Sequence, residues 1–213
     1  ALAAFPRPEV SRWILDSYFV EGGIGAEGRF AQVPRHTLSS SVRLQELTVA
    51  AGFAEVFLAK EGHDGLVGIN FLRKIELPLP ATLYGALLAG VDFVLVGAGS
   101  PADIPGMVRH LASHQPVTVS VKVMGARSTD NVGDLVFDPA VALPQRPATL
   151  PMPRVLAIVA STDLARGLAE VTGTGLPGLA RLLHVLSWTG GVAATGFLFT
   201  WWRRWLGQFR RGL

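Results

Sequence analysis

The sequence contains no cysteine among its 213 residues. This absence excludes disulfide bonds, thiolate zinc sites and a cysteine nucleophile, and it is typical of a chain that folds in the reducing cytoplasm. Packing and hydrogen bonds must therefore hold the fold, and the chain is long enough to bury a full core.

Acidic residues are absent after Glu170, and the formal net charge of +3 comes from the end of the chain. Arg203, Arg204, Arg210 and Arg211 all lie in the last eleven residues. A nucleic-acid-binding face needs basic residues spread among aromatic ones, and residues 1–170 have no such stripe. We therefore expect no nucleic-acid partner.

Helical and extended patterns alternate along the chain and predict an α/β fold with a parallel sheet, because buried apolar strands joined by helices favour that arrangement. Apolar spacing predicts helices over Glu9–Val20, Val42–Phe53, Thr82–Ala89 and Ile104–Ser113, with N-cap candidates at Ser39–Ser41. Short apolar runs predict strands over Glu55–Ala59, Leu66–Phe71, Val91–Val96, Val117–Val123 and Val155–Ala160. Loops are predicted over residues 21–32 and 125–153.

The histidines do not predict a metal site. His110 and His114 are four residues apart on a predicted helix, but no third ligand is evident nearby. We interpret both as lying on a solvated helix face. Asp163 is interpreted as a helix-start residue rather than a catalyst.

Glycine and polar residues follow the predicted strands between Glu55 and Pro101. Lys60–Gly65 follows the first of these strands, Asn70 lies near the end of the second, and Gly97–Gly99 ends the third. Glycine admits close backbone approach and leaves N–H groups available to an anion. We expect an anionic cofactor at the carboxyl rim of the sheet.

Several short segments in order resemble the bacterial nitronate monooxygenase family, over about residues 1–168. The segments that carry the resemblance are Leu44–Val49, Phe57–Gly65, Val67–Asn70, Leu83–Ala86, Leu88–Asp92 and Gly97–Gly99. The resemblance implies an enzyme with flavin mononucleotide (FMN) on a (β/α)₈ TIM-type barrel that oxidises alkyl nitronates with O₂. In such a barrel the cofactor lies at the C-terminal rim of the strands.

The resemblance and the rim position give the same cofactor residues: Lys60, Glu61, Gly62, Asn70, Gly97 and Gly99. Lys60 either balances charge on a reduced flavin or is a solvated lysine, and Glu61 either shares this site or only pairs with Lys60. His63 is the catalytic candidate because histidine is the side chain that ordinarily titrates nearest neutrality, although a lone histidine in a loop is more often structural or exposed. Asn70 can offer a donor and an acceptor to a flavin edge or cap a turn.

Two parts of the family pattern are missing. The first strand with its glycine-rich flavin contact does not occur, and neither does the later Gly-Gly-His segment that carries the family's catalytic histidine. We interpret residues 1–170 as a partial flavin-binding barrel, without the first βα unit and the later strands. Catalytic turnover is expected to be weak or absent.

Residues 171–213 are divergent, apolar and then basic. Leu182–Trp202 is 21 residues without formal charge, which a helix at about 1.5 Å per residue would extend to roughly 31 Å, and arginines follow it. It is interpreted as a membrane-associated helix, a buried or partner-binding segment, or the product of a frameshift. The alternatives to a nitronate monooxygenase are a flavin enoyl reductase and a non-catalytic membrane- or partner-binding remnant.

Overall fold

A computed structural model describes residues 1–24, 28–121, 123, 125, 127, 133–144 and 148–158. The chain divides into two units, Ala1–Ile158 and Val159–Leu213, and all described residues belong to the first. The predicted boundary at residue 170, Asp163 and the segment 182–202 lie outside the described residues.

The described residues form an α/β unit of five helices, five strands and a short 3-10 helix at Leu2–Ala4. In chain order these are α1 (Pro8–Tyr18), α2 (Val42–Ala59), β1 (Gly68–Leu72), α3 (Leu79–Leu88), β2 (Phe93–Gly97), α4 (Ile104–Ala112), β3 (Val117–Ser120), β4 (Asp134–Phe137), α5 (Pro139–Ala142) and β5 (Arg154–Ala157). The four predicted helices are confirmed, with ends that differ by at most three residues for α1, α3 and α4, whereas α2 continues six residues further.

Helix α2 is longer than the sequence pattern predicted, and the predicted strand Glu55–Ala59 is wrong. Ser41 caps the helix by accepting a hydrogen bond from the Leu44 amide. The helix then runs without interruption to Ala59, and Val49, Phe53 and Val56 are buried along it. That spacing of four and three residues continues one helical face through the apolar run.

Helices α2 and α3 approach each other closely through two glycines. A Cβ atom at Gly52 would lie 2.3 Å from the Thr82 carbonyl oxygen, and one at Gly85 would lie 2.0 Å from the Val49 carbonyl oxygen. Neither separation is possible for real atoms, so any larger residue would force the helices apart. This contact places α2 against the helix that joins β1 to β2.

The main sheet has three parallel strands in the order β1-β2-β5. Residues Gly68 to Leu72 pair with Phe93 to Gly97, and Phe93 to Val96 pair with Arg154 to Ala157. Parallel pairing was predicted for these three strands and is confirmed. The described residues form no closed barrel, so the partial TIM barrel stays a prediction.

The predicted strand Val117–Val123 does not join this sheet. Its first four residues form β3, which pairs antiparallel with β4 in a separate two-stranded sheet. Residues 134–137, assigned to a loop from the sequence, therefore form a strand. The short apolar run Leu135–Phe137 was the signal for it, because Leu135 and Phe137 alternate with exposed neighbours.

The prediction of a solvated helix face is wrong for His114 and right for His110. Helix α4 ends at Ala112, and His114 follows it with a φ of 57° and only 4% of its surface exposed. Its Nδ1 lies 2.8 Å from the hydroxyl of buried Tyr84 and its Nε2 lies 3.3 Å from the Ala148 carbonyl oxygen. His110 remains exposed on the helix.

None of the described helices α1–α5 combines the length and the apolar character that a bilayer span needs.

Candidate functional site

The predicted rim residues lie at two opposite edges of the sheet. Helix α2 is followed by Lys60, Glu61, Gly62 and His63, which precede β1 at the end of the sheet where the parallel strands begin, here called the amino edge. Gly97 and Gly99 lie at the end where the strands finish, here called the carboxyl edge. The two edges are separated by the length of β1, about 13 Å at roughly 3.3 Å per residue. The prediction that these residues share one rim is wrong, because the strand expected before Lys60 is the end of a helix.

Lys60 is held by groups at the amino edge. Its ammonium donates to the Gly90 carbonyl oxygen and to Asp92 Oδ2, the latter at 2.9 Å. Asp92 Oδ2 also accepts the Val67 amide at 2.9 Å. The Val67 hydrogen bond, and after it the Lys60 hydrogen bond, lower the pKa of Asp92 below its ordinary value. Lys60 therefore pairs with Asp92 and not with Glu61.

The catalytic candidate His63 is engaged within its own turn. Its Nε2 lies 2.7 Å from the Ala59 carbonyl oxygen, and its Nδ1 accepts the Gly65 amide at 3.0 Å. Nε2 must carry the proton, because only an N–H can bond to a carbonyl oxygen. Gly62 provides a φ of 79° for the same turn, and a Cβ there would meet nothing within 4 Å. The arrangement ends helix α2 and engages both ring nitrogens of the exposed His63 within the turn, and its catalytic role stays a prediction.

At the carboxyl edge the chain turns sharply after β2. Ala98 has a φ of 56° and Gly99 a φ of 150°, both outside the conformations that ordinary side chains prefer. A Cβ at Gly99 would lie 3.0 Å from the Cβ of Arg73, and one at Gly97 would lie 3.3 Å from the side chain of Ile158. Both glycines thus allow neighbouring segments of the chain to approach closely, as predicted for this turn.

Arg73 lies beside this turn, and two carboxylates bind it. Its guanidinium donates to both oxygens of Asp103, at 3.2 and 2.8 Å, and to Glu76 Oε1 at 3.0 Å. Burial opposes the charge, yet the Asp103 and Glu76 contacts raise the pKa of Arg73 overall. Arg73, Asp103 and Glu76 together fix the turn to the start of α4. This set of three side chains carries one more negative than positive charge.

The two faces of the parallel sheet differ in how far their side chains are buried. Phe71, Val94 and Val96 point into the core, with Ile69 and Val155 packed against it. On the opposite face the side chains are exposed or half-buried among the described residues, although Gly97 itself is buried, and we call this surface the open face. Its residues are Gly68, Asn70, Leu72, Phe93, Leu95, Gly97, Arg154, Leu156 and Ile158.

Asn70 is the neutral hydrogen-bonding side chain of the open face. It is exposed in the middle of β1, not at a strand end, and lies opposite Leu95, while Leu72 lies opposite Gly97. Residues two apart on neighbouring strands share a face, so Asn70 and Gly97 are diagonal neighbours. Of the predicted site residues, the fold thus brings together Asn70 and Gly97, and Gly99 follows two residues later in the turn beside Arg73.

Sequence reasoning missed the buried ion pair between Arg7 and Glu46. Arg7 Nη1 lies 2.7 Å from Glu46 Oε1 and 3.1 Å from the Ala142 carbonyl oxygen, and Glu46 is 4% exposed. No local signal marks a pair separated by 39 residues. It joins the start of the chain to α2 and α5, which is a structural role. Within the described residues, no group of three His, Asp or Glu side chains could hold a metal ion.

Three comparisons were made with known proteins. No protein-family model, no curated protein and no solved structure matches this chain.

Proposed function

We propose that this chain is an FMN-binding oxidoreductase of the nitronate monooxygenase type, whose flavin ring lies on the open face beside Asn70. The observation that carries the proposal is the position of Asn70. Its side-chain amide is exposed beside Leu72 and Leu95 on the part of the sheet surface that the structure describes, next to the glycine turn at the carboxyl edge.

The open face suits a flat, largely apolar ring with one polar edge. Leu72, Leu95 and Leu156 would exclude water from the ring, and Asn70 would offer a donor and an acceptor to its edge. Gly99 is exposed in the turn, and its lack of a side chain leaves the backbone accessible there, whereas Gly97 is buried against Ile158. Arg73 is already bound by Asp103 and Glu76, so backbone N–H groups of the turn are the better contacts for a phosphate.

FMN, when bound, supplies an electron acceptor for the nitronate and passes electrons to O₂. The chain's own part is to bind and orient. Among the described residues of the open face, Arg154 is the one ionisable side chain, and an arginine does not act as a base near neutral pH. The site would therefore use a nitronate that is already deprotonated and would fail to take the α-proton from a neutral nitroalkane.

Titration of the purified chain with FMN, followed by flavin fluorescence, tests the proposal. We expect saturable binding in the wild type and binding about tenfold weaker in Asn70→Leu, which loses one hydrogen bond worth about 1–1.5 kcal/mol. Thr118→Leu, at an exposed position of β3, is the matched control and should bind like the wild type. Equal binding in the Asn70 and Thr118 variants would place the flavin elsewhere.

Oxygen uptake separates the possible reactions. A preformed alkyl nitronate should support slow FMN-dependent oxygen uptake, and the corresponding nitroalkane should support none. Consumption of NAD(P)H with an enoyl thioester would instead indicate the flavin enoyl reductase. A chain that binds no FMN at all would contradict the enzyme proposal and favour a non-catalytic partner-binding protein.

A further inference from the structure

A small cavity lies away from the open face, between the segment that precedes α2, the start of α3 and strand β4. Its walls include His36, Ser40, Gln45, Ala81 and Phe137. It offers about 20 Å³ to the centre of a water molecule. One water requires about 10–15 Å³ by this measure, so the cavity suits one water-sized molecule and is far too small for a flavin.

One of the residues that line this cavity carries an unpaired acceptor. Oε1 of Gln45 is enclosed, yet it meets no hydrogen-bond donor among the described residues. The amide nitrogen of the same side chain donates to the Ser40 carbonyl oxygen at 2.9 Å, which fixes the orientation of the amide. Buried polar atoms in native proteins nearly always have a partner, either protein or ordered water.

The neighbouring polar groups cannot supply that partner. The Ser40 hydroxyl donates to the Thr37 carbonyl oxygen at 2.9 Å. The Thr48 hydroxyl donates to the Leu44 carbonyl oxygen at 2.7 Å, so its contact of 3.3 Å with His36 Nε2 needs the proton on Nε2. Nδ1 of neutral His36 is then a second acceptor. Gln45 Oε1 is the buried atom left without a partner, and His36 Nδ1, on a half-buried residue that lines the same cavity, can accept a second hydrogen.

We propose that this cavity binds one water molecule, which donates its two hydrogens to Gln45 Oε1 and His36 Nδ1. Water brings two donors in the available volume and carries no charge. An ammonium ion would also fit, but two neutral acceptors in a mostly apolar cavity do not compensate the loss of its hydration. The water links the irregular segment before α2 to the first turn of that helix.

Nuclear Overhauser contacts with water test the site directly. The wild type should give a cross-peak between a long-lived water and the Gln45 side-chain amide or neighbouring cavity protons. Gln45→Met, which removes the acceptor, should lose the cavity contacts. No such cross-peak in the folded wild type, or one that requires added ammonium, would overturn the proposal.

A substitution that fills the cavity gives a second test. The change in the urea midpoint should be negative if the cavity holds water and positive if it is empty. Ala81→Val should lower the urea midpoint in the wild type, because it expels the water and strands Gln45 Oε1. The same change in Gln45→Met should lower the midpoint less or raise it. Ala51→Val, at an exposed position of α2, measures the cost of valine in a helix. A gain in midpoint from Ala81→Val in the wild type, beyond this control, would indicate an empty cavity.

Discussion

Asp92 Oδ2 accepts hydrogen bonds from both the Lys60 ammonium and the Val67 amide, each at 2.9 Å. A single carboxylate oxygen therefore ties the end of α2 to the residues just before β1 and β2. The contact lies at the amino edge of the sheet, at the opposite end of the strands from Gly97 and Gly99. Lys60 is thus part of the fold and distant from the proposed flavin site.

Lys60→Met should lower the midpoint of thermal unfolding and leave the Kd for FMN unchanged. The variant keeps an apolar stem but removes the partner of Asp92, whose lowered pKa contributes stability that is lost as the pH falls below about 3.8. The acid limb of the stability curve should therefore become shallower. Lys74→Met is the exposed lysine control. A large loss of FMN affinity in Lys60→Met alone would restore Lys60 to the flavin site.

Gly85→Ala should destabilise the protein by about 3 kcal/mol, because the new methyl group would overlap the backbone of α2 at Val49. Gly106→Ala is the matched change in α4, where a Cβ meets nothing within 4 Å. It should stabilise by about 0.5–1 kcal/mol through helix propensity. Urea unfolding followed by circular dichroism measures both. Equal effects of the two changes would contradict the close contact of α2 and α3.

Tyr84→Phe should cost about 1–3 kcal/mol, because it leaves the buried Nδ1 of His114 without the hydroxyl that lies 2.8 Å away. Tyr18→Phe, at a partly exposed position, should change the free energy of unfolding by less than about 0.5 kcal/mol. Chemical unfolding of the two variants at one pH is the measurement. A neutral result for Tyr84→Phe would mean that the hydroxyl and the imidazole do not interact in solution.

His36 should make the folded state sensitive to acid. Burial lowers its pKa below the ordinary 6.5, so the unfolded chain binds a proton at a higher pH than the folded one. The stability from neutral His36 is complete above about pH 6.5 and is lost as the pH falls through the folded pKa. The urea midpoint of His36→Gln should therefore fall less between pH 7 and pH 5 than that of the wild type. An equal fall of the urea midpoint in His36→Gln and the wild type would exclude a contribution of His36 to the acid sensitivity.

Local patterns in the sequence predicted most of the helices and three parallel strands. Ser41 as the cap of α2 and the apolar spacing of α1 and α4 depend on neighbours within a few residues, which the sequence displays directly. The error at Glu55–Ala59 has a physical cause. A short apolar run is compatible with a strand or with a buried helix turn, and the packing of Phe53 and Val56 decided for the helix.

The α/β character, the glycine turn at Gly97–Gly99 and the absence of disulfides follow from residue type and local spacing, which the sequence displays. Which polar residues share an edge depends on the tertiary fold. Because α2 continues to Ala59, Lys60 and His63 lie at the amino edge, whereas the strand register places Asn70 beside Gly97. Such placements depend on contacts between residues far apart in the chain, which no local pattern records.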